Sequence, residues 1–242
     1  MPCLLVLAGC HVKPPASAAS HFGLYLLAMT WTPSVCCATH DEQCADVRAS
    51  LTLHGLWPNY TDDQSRGLSR AWPQYCGGYA HCEQAEDASC APEVAVPADL
   101  APFAPGYVRG ALATHEWSKH GSCTRLSAAD YFAAELAAIR SIPALEVPGA
   151  VVGHDTPRAD LQRSFGVAAD SVVLGCDAHC RLTQVGFCFA KDVHDRPTAP
   201  IACTANVTRS DYDNGCATRG CDRVVVAAPG ACGAVDGATR PK

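Results

Sequence analysis

Sixteen cysteines spread along 242 residues constrain this chain more than any other feature. A reducing cytosol rarely keeps so many thiols in one protein, and their wide spacing suits a disulfide framework in a secreted or envelope protein. Zinc would need paired Cys-x-x-Cys runs, whereas this chain has only looser ones, such as Cys176 with Cys180 and Cys216 with Cys221. Structural zinc is therefore the minor reading. Hydrophobic residues at 48% and charged ones at 17% describe a folded chain, and the length suits one domain of generous size.

The first ten residues are apolar, too short to cross a bilayer and without a basic leader. They read as the tail of a signal peptide. Leu7-Ala8-Gly9-Cys10 is similar to a bacterial lipobox, which makes Cys10 a lipidation candidate; an ordinary export signal ending in cysteine is the alternative. This segment and a flexible tether occupy residues 1–20, a single domain 21–235 and a tail 236–242. The expected location is outside the cytosol, periplasmic or secreted, with membrane attachment only through a lipid on Cys10.

From Phe22 the chain has folded character. An apolar, aromatic run from Phe22 to Trp31 and the alternation from Ser50 to Trp57 predict two strands, with Leu51 and Leu53 on one face and Thr52 and His54 on the other. Residues 58–99 lack periodicity and predict stapled loops. Tyr107 to His120 predicts a helix closed by Gly121. Ser127 with Asp130 forms a capping-box pattern ahead of a second helix, with Phe132, Leu136 and Ile139 on its buried stripe. Thr156-Pro157 opens a third short helix that Gly166 ends. Further strands are predicted at Ser171–Gly175, Leu182–Phe189 and Arg223–Ala228. Strands at both ends and helices between them imply an α+β fold with a central, largely antiparallel sheet packed with helices.

Two segments concentrate reactive side chains: Leu53-His54-Gly55-Leu56-Trp57-Pro58 and His115-Glu116-Trp117-Ser118-Lys119-His120-Gly121-Ser122-Cys123. His115-Glu116 starts like a zinc-protease helix, but the position four residues after His115 holds Lys119, a cation. His120 lies roughly 140° further round a helix than His115, so the two rings do not converge on one metal. Instead Glu116, Lys119 and His120 share a broad helical face with His115. Glu and Lys at this spacing are ordinarily a solvated, salt-bridged surface, but the flanking histidines, the tryptophan and the cysteine shift the balance towards chemistry. Trp57 beside His54 is either a core ring or a stacking platform.

These two segments, with Leu26 to Pro33, Leu182 to Cys188 and Cys203, resemble the ribonuclease T(2) family of acid endoribonucleases, over about Phe22 to Arg223. The resemblance implies cleavage of single-stranded RNA, not DNA, without metal or cofactor, through a 2′,3′-cyclic phosphate to a 3′-phosphate. His120 would be the base, His54 the acid, Lys119 and His115 the stabilisers of the phosphorane, and Glu116 the partner that orients them. Trp57 matches a base-stacking position, whereas Asn59 stands where some members have aspartate. The residues before the second motif, Leu112-Ala113-Thr114, lack a family aromatic, which implies a second base site that is weaker or built elsewhere; low base specificity is expected. The resemblance also suggests disulfides Cys188–Cys203 and Cys76–Cys123, with Cys36 or Cys37 paired to Cys44. A monomer is expected. The formal charge of −6 is unusual for a protein that holds a polyanion, but protonation of its ten histidines in acid would reverse the sign. Asn59-Tyr60-Thr61 and Asn206-Val207-Thr208 fit the glycosylation pattern and are treated as chance matches. The rival readings are a catalytically silent RNA-binding or interaction protein of the same fold and, more remotely, a metal-dependent hydrolase.

Overall fold

A computed structural model of the chain describes residues 21–38, 44, 47–83, 88–109, 111–208 and 215–231. The Cys10 motif and the tail lie outside the described residues. Strand β1 (Leu24–Trp31) is buried along nearly its whole length, which explains its continuous apolar run: it is an inner strand covered on both faces. It pairs antiparallel with β2 (Leu51–Asn59) on one side and β5 (Leu182–Lys191) on the other. The sheet continues through β4 (Val172–Cys176), and β6 (Pro197–Pro200) pairs with the end of β5, so all five strands are antiparallel. A small second sheet joins β3 (Asp155–Pro157) to β7 (Arg223–Val225).

Alternation along β1 sends Tyr25, Leu27, Met29 and Trp31 into the main core, where helix α4 (Ala128–Arg140) contributes Tyr131, Phe132, Leu136 and Ile139. Leu24 and Leu26 face the other way, into a smaller cluster with Val173, Cys188 and Val207. The predicted cap of α4 forms: the Ser127 hydroxyl accepts the Asp130 N–H at 3.1 Å and donates to its carboxylate at 2.7 Å.

The expected helix from Tyr107 to His120 is two helices, α2 (Pro105–Arg109) and α3 (Leu112–Lys119). The sequence has Gly110 between them, a poor residue for a helix interior. Gly121 does not close α3 in a left-handed cap. His120 caps the helix, and Gly121 opens a 3₁₀ turn in which a side chain would collide with the Trp117 ring. The third helix, α5, covers Arg158–Arg163, with Thr156 and Pro157 in β3 and Gly166 left-handed just beyond it. Helix α1 (Thr32–Ala38) directly follows β1. Strands β3 and β6 were not expected, since three- and four-residue strands carry too little alternation to stand out.

Six disulfides join described residues. Cys188–Cys203 and Cys76–Cys123 form as the resemblance implies, and Cys36, rather than Cys37, pairs with Cys44. Cys37 is disulfide-bonded as well. The two loose cysteine runs cross-link each other, Cys176 to Cys216 and Cys180 to Cys221. Cys82–Cys90 staples the loop region. Asn59 and Asn206 are buried, and Asn206 donates to the Tyr60 and Ala71 carbonyls, so neither offers an amide for glycosylation in the folded protein. Among the described residues no helix is long and apolar enough to cross a membrane.

Asp195, in the turn between β5 and β6, ties three parts of the chain together. Its buried carboxylate accepts from the Arg125 backbone and guanidinium at 2.8–3.0 Å and from Lys191 at 2.7 Å, while its carbonyl accepts the buried Tyr25 hydroxyl at 2.6 Å. Burial alone would raise its pKa, but the hydrogen bonds from Arg125 and then Lys191 hold it at about 2. Because the folded value lies below the ordinary 3.8, this stabilisation is present above pH 3.8 and is lost as pH falls towards 2. Asp195→Ala is expected to lower stability by roughly 2–3 kcal/mol at neutral pH, short of a fully buried pair because Arg125 is half exposed. Denaturant titration should show that loss shrink below pH 3.8; a constant difference down to pH 2 would contradict the assignment.

Candidate active site

The two reactive segments meet where the edge strand β2 packs against α3. The β1–β2 register pairs Ala28 with Gly55 and Met29 with Leu53, so His54 is the extra residue of a β-bulge. The bulge changes the phase of the strand. Before it, Leu51 and Leu53 enter the main core; after it, Leu56 does, while Trp57 packs against the smaller cluster on the opposite face. His54 and Trp57 thereby come together, ring centroids 5.1 Å apart and edge to face.

Helix α3 brings the second segment to this point. Its end is clamped by the Cys76–Cys123 disulfide, by the Tyr75 N–H donating to the Lys119 carbonyl at 2.9 Å, and by the Cys76 N–H donating to Ser122 at 3.1 Å. Trp117 is buried and donates to the Tyr79 hydroxyl, so it anchors the helix. Glu116, fully buried, points at β2 and accepts the Trp57 indole N–H at 2.7 Å. A methyl group on Gly55 would overlap this carboxyl, which is why the position between His54 and Leu56 carries no side chain.

The two oxygens of Glu116 face the two histidines. Oε1 lies 3.4 Å from His54 Nε2, and Oε2 lies 4.0 Å from His120 Nε2. His120 is stacked on Trp57 with centroids 5.1 Å apart and planes 21° from parallel, and its buried Nδ1 has no hydrogen-bond partner. Gln184 of β5 sits 3.4 Å from His54 Nδ1; its amide as donor leaves the ring proton on Nε2. His115 and Lys119 are half-buried on the same helix, with the His115 ring 6.5 Å from that of His120. All five expected catalytic residues thus gather in one place.

Trp57 is half-exposed, with its N–H committed to Glu116 and its ring to His120. Asn59 is buried and turns its amide onto the Trp57 carbonyl at 3.1 Å, leaving its Oδ1 unpartnered. Gln184, Tyr107 and Glu135 were missed by sequence reasoning. Gln184 was one polar residue in a strand, and nothing local marks the other two.

Charges at the site follow from burial. Glu116 is pushed up to about 8, against weaker lowering by the Trp57 hydrogen bond and Lys119. His54 is pulled down to about 4 by desolvation, then by the positive charges of His115 and Lys119. His120 falls well below its ordinary value for the same reasons. In acid, therefore, Glu116 carries a proton and does not cancel the cations beside it. With one Glu116 oxygen holding an indole N–H and Lys119 adjacent, this donor set suits an anion better than a metal ion. Elsewhere His81, Cys82 and Cys90 cluster at ligand distance, but the two sulfurs are bonded to each other and offer no thiolate.

The sign for Glu116 is opposite to that for Asp195. Its folded value lies above the ordinary 4.5, so stability is intact below pH 4.5 and declines as pH rises to about 8. Glu116→Gln keeps the acceptor for Trp57 and removes the titration. Its melting temperature is expected to match wild type near pH 4.5 and to exceed it by a few degrees at pH 8. A pH-independent difference in melting scans would count against a buried, protonated Glu116.

The Ribonuclease T2 family model matches residues 22–196. A ribonuclease of Aeromonas hydrophila is 31% identical over 137 residues, 53% of each chain. Intracellular ribonuclease LX of Solanum lycopersicum is 29% identical over 136 residues, 54% of this chain and 49% of its own. The chain thus spans about half the length of the curated relatives it matches. Among solved structures, an RNase-related protein from Calystegia sepium has a TM-score of 0.54 at 18% identity, covering 86% of this chain and 98% of its own. An RNase MC1 variant in complex with 5′-GMP has a TM-score of 0.52 at 21% identity, covering 76% of this chain and 95% of its own. A sheet edge and a clamped helix that bring His54 and His120 to one carboxyl, within a matched span of this extent, make this chain a member of the ribonuclease T2 family.

Proposed function

We propose that the protein is a metal-independent endoribonuclease that cleaves single-stranded RNA through a 2′,3′-cyclic phosphate, with low base specificity and an acidic optimum. The observation that carries this reading is the placement of two imidazoles against the two oxygens of one buried carboxyl, with Lys119 and a third imidazole, His115, on the same helix. Neutral His120 takes the proton of the 2′-hydroxyl, and the resulting oxygen attacks phosphorus in line. Lys119 and protonated His115 stabilise the phosphorane, and protonated His54 gives its proton to the departing 5′ oxygen. In the second step the roles exchange, and water opens the ring to a 3′-phosphate. DNA lacks the 2′-hydroxyl and is not cut.

The pKa directions support an acidic optimum. The depressed value of His120 keeps the base unprotonated in acid, whereas His54, at about 4, gains the proton it must donate only as pH falls. The inward turn of Asn59 supports low base specificity. Six disulfides among the described residues support an exported protein. The Leu7–Cys10 motif is compatible with a lipid on Cys10 and equally with an ordinary export signal that ends in cysteine.

Incubation with RNA and DNA at acidic and neutral pH, with and without chelator, is expected to yield cyclic-phosphate RNA ends in chelator and intact DNA. Loss of cleavage in chelator, or RNA binding without cleavage at any pH, would refute the reading. His54→Ala and His120→Ala should each lose roughly 10²–10⁴-fold in rate while still binding RNA by fluorescence anisotropy. Near-normal turnover of either variant would remove it from the mechanism.

A further inference from the structure

Helix α4 carries a buried carboxyl that the mechanism does not use. Glu135 of α4 is fully buried, and its Oε1 is 2.9 Å from the hydroxyl of Tyr107 on α2. That hydroxyl is also 3.0 Å from the carbonyl of His54. Tyr131, one helical turn before Glu135, places its own hydroxyl 3.0 Å from the carbonyl of Leu56. Two tyrosines braced on one helix therefore grip the strand on either side of Gly55, at the bulge that aims His54.

Proton counting defines the state of this cluster. The Tyr107 hydroxyl has one proton, and a backbone carbonyl can only accept. Both Tyr107 contacts are hydrogen bonds only if Glu135 supplies the second proton. Its surroundings agree: burial is the largest influence and, with Glu116 nearby, outweighs the opposing hydrogen bonds from Tyr107, Tyr131 and the Leu56 backbone, so Glu135 lies well above its ordinary value. We infer that Glu135 is a positioning residue: as a neutral acid it donates to Tyr107, commits the Tyr107 proton to the His54 carbonyl, and so holds the bulge that orients the His54 imidazole. The inference rests on the ribonuclease reading of His54 and deepens it. The imidazole itself faces Glu116, His115 and Lys119 from α3 and Gln184 from β5, so a shift of the bulge changes its distance to all of them.

The test compares Tyr107→Phe, Glu135→Leu and Glu135→Gln with wild type. Folding is checked by circular dichroism, the His54 titration is followed by NMR of its ring C–H, and cleavage of a diribonucleotide is measured. Tyr107→Phe and Glu135→Leu are expected to move the His54 titration midpoint and to lower kcat about tenfold with KM within twofold, since an ångström of misplacement costs up to about 10²-fold. Glu135→Gln, which keeps a neutral donor, should restore the midpoint and most of kcat. A wild-type His54 titration and kcat in folded Tyr107→Phe would overturn the inference, as would a Glu135→Gln variant as impaired as Glu135→Leu. If Glu135→Leu does not fold, Tyr107→Phe decides. Wild-type protein that does not cut RNA would reject the ribonuclease reading, while the NMR titration would still test the tie between Glu135 and His54.

Discussion

The hydrogen bond from the Trp57 indole to the buried Glu116 carboxyl holds the site together. It joins a strand to a helix that are far apart in sequence, and both histidines are placed by reference to it. His120 stacks on the ring that donates the bond, and His54 faces the carboxyl that accepts it. The carboxyl fits only because Gly55 leaves room, and Gly55 reaches it only because the bulge at His54 shifts the phase of β2. One backbone irregularity thus underlies the approach of two elements and the orientation of two rings.

Burying that carboxyl has an electrostatic consequence. An ionised carboxylate at this position would pair with the Lys119 ammonium; a protonated one does not. The same desolvation that keeps Glu116 neutral keeps both imidazoles deprotonated until acid or an anion favours the charged form. The net negative charge of the chain therefore does not describe the site.

The frame around the site is covalent where it is irregular. The loop-rich segment after β2 has little periodic structure of its own, and Cys76–Cys123 fastens it to the end of α3 beside His120. Cys188–Cys203 ties β5 to the segment beyond β6, and two crossed disulfides anchor the region before β7 to the β4–β5 turn. Cross-links of this kind stabilise chiefly by limiting the unfolded chain, which suits a protein with long loops.

Much of this was legible in the residues. The long strands, the capped helix α4 and the five reactive side chains follow from alternation, capping chemistry and two motifs, because each depends on near neighbours in the chain. The split of α2 from α3 was hidden because the apolar spacing runs on across Gly110, and Gly121 misled because a glycine after a helix more often caps it than packs against a tryptophan. The bulge escaped because Leu53 and Leu56 fit a simple strand until the partner strand is in view. The chain by itself determined which groups are present and what each can do as an acid, a base or a cation. Only the tertiary structure decided that Glu116 is buried and its pKa raised, that Trp57 stacks on His120, and that Tyr107 and Glu135 meet at the His54 carbonyl, since burial and contact between distant segments depend on packing rather than on local sequence.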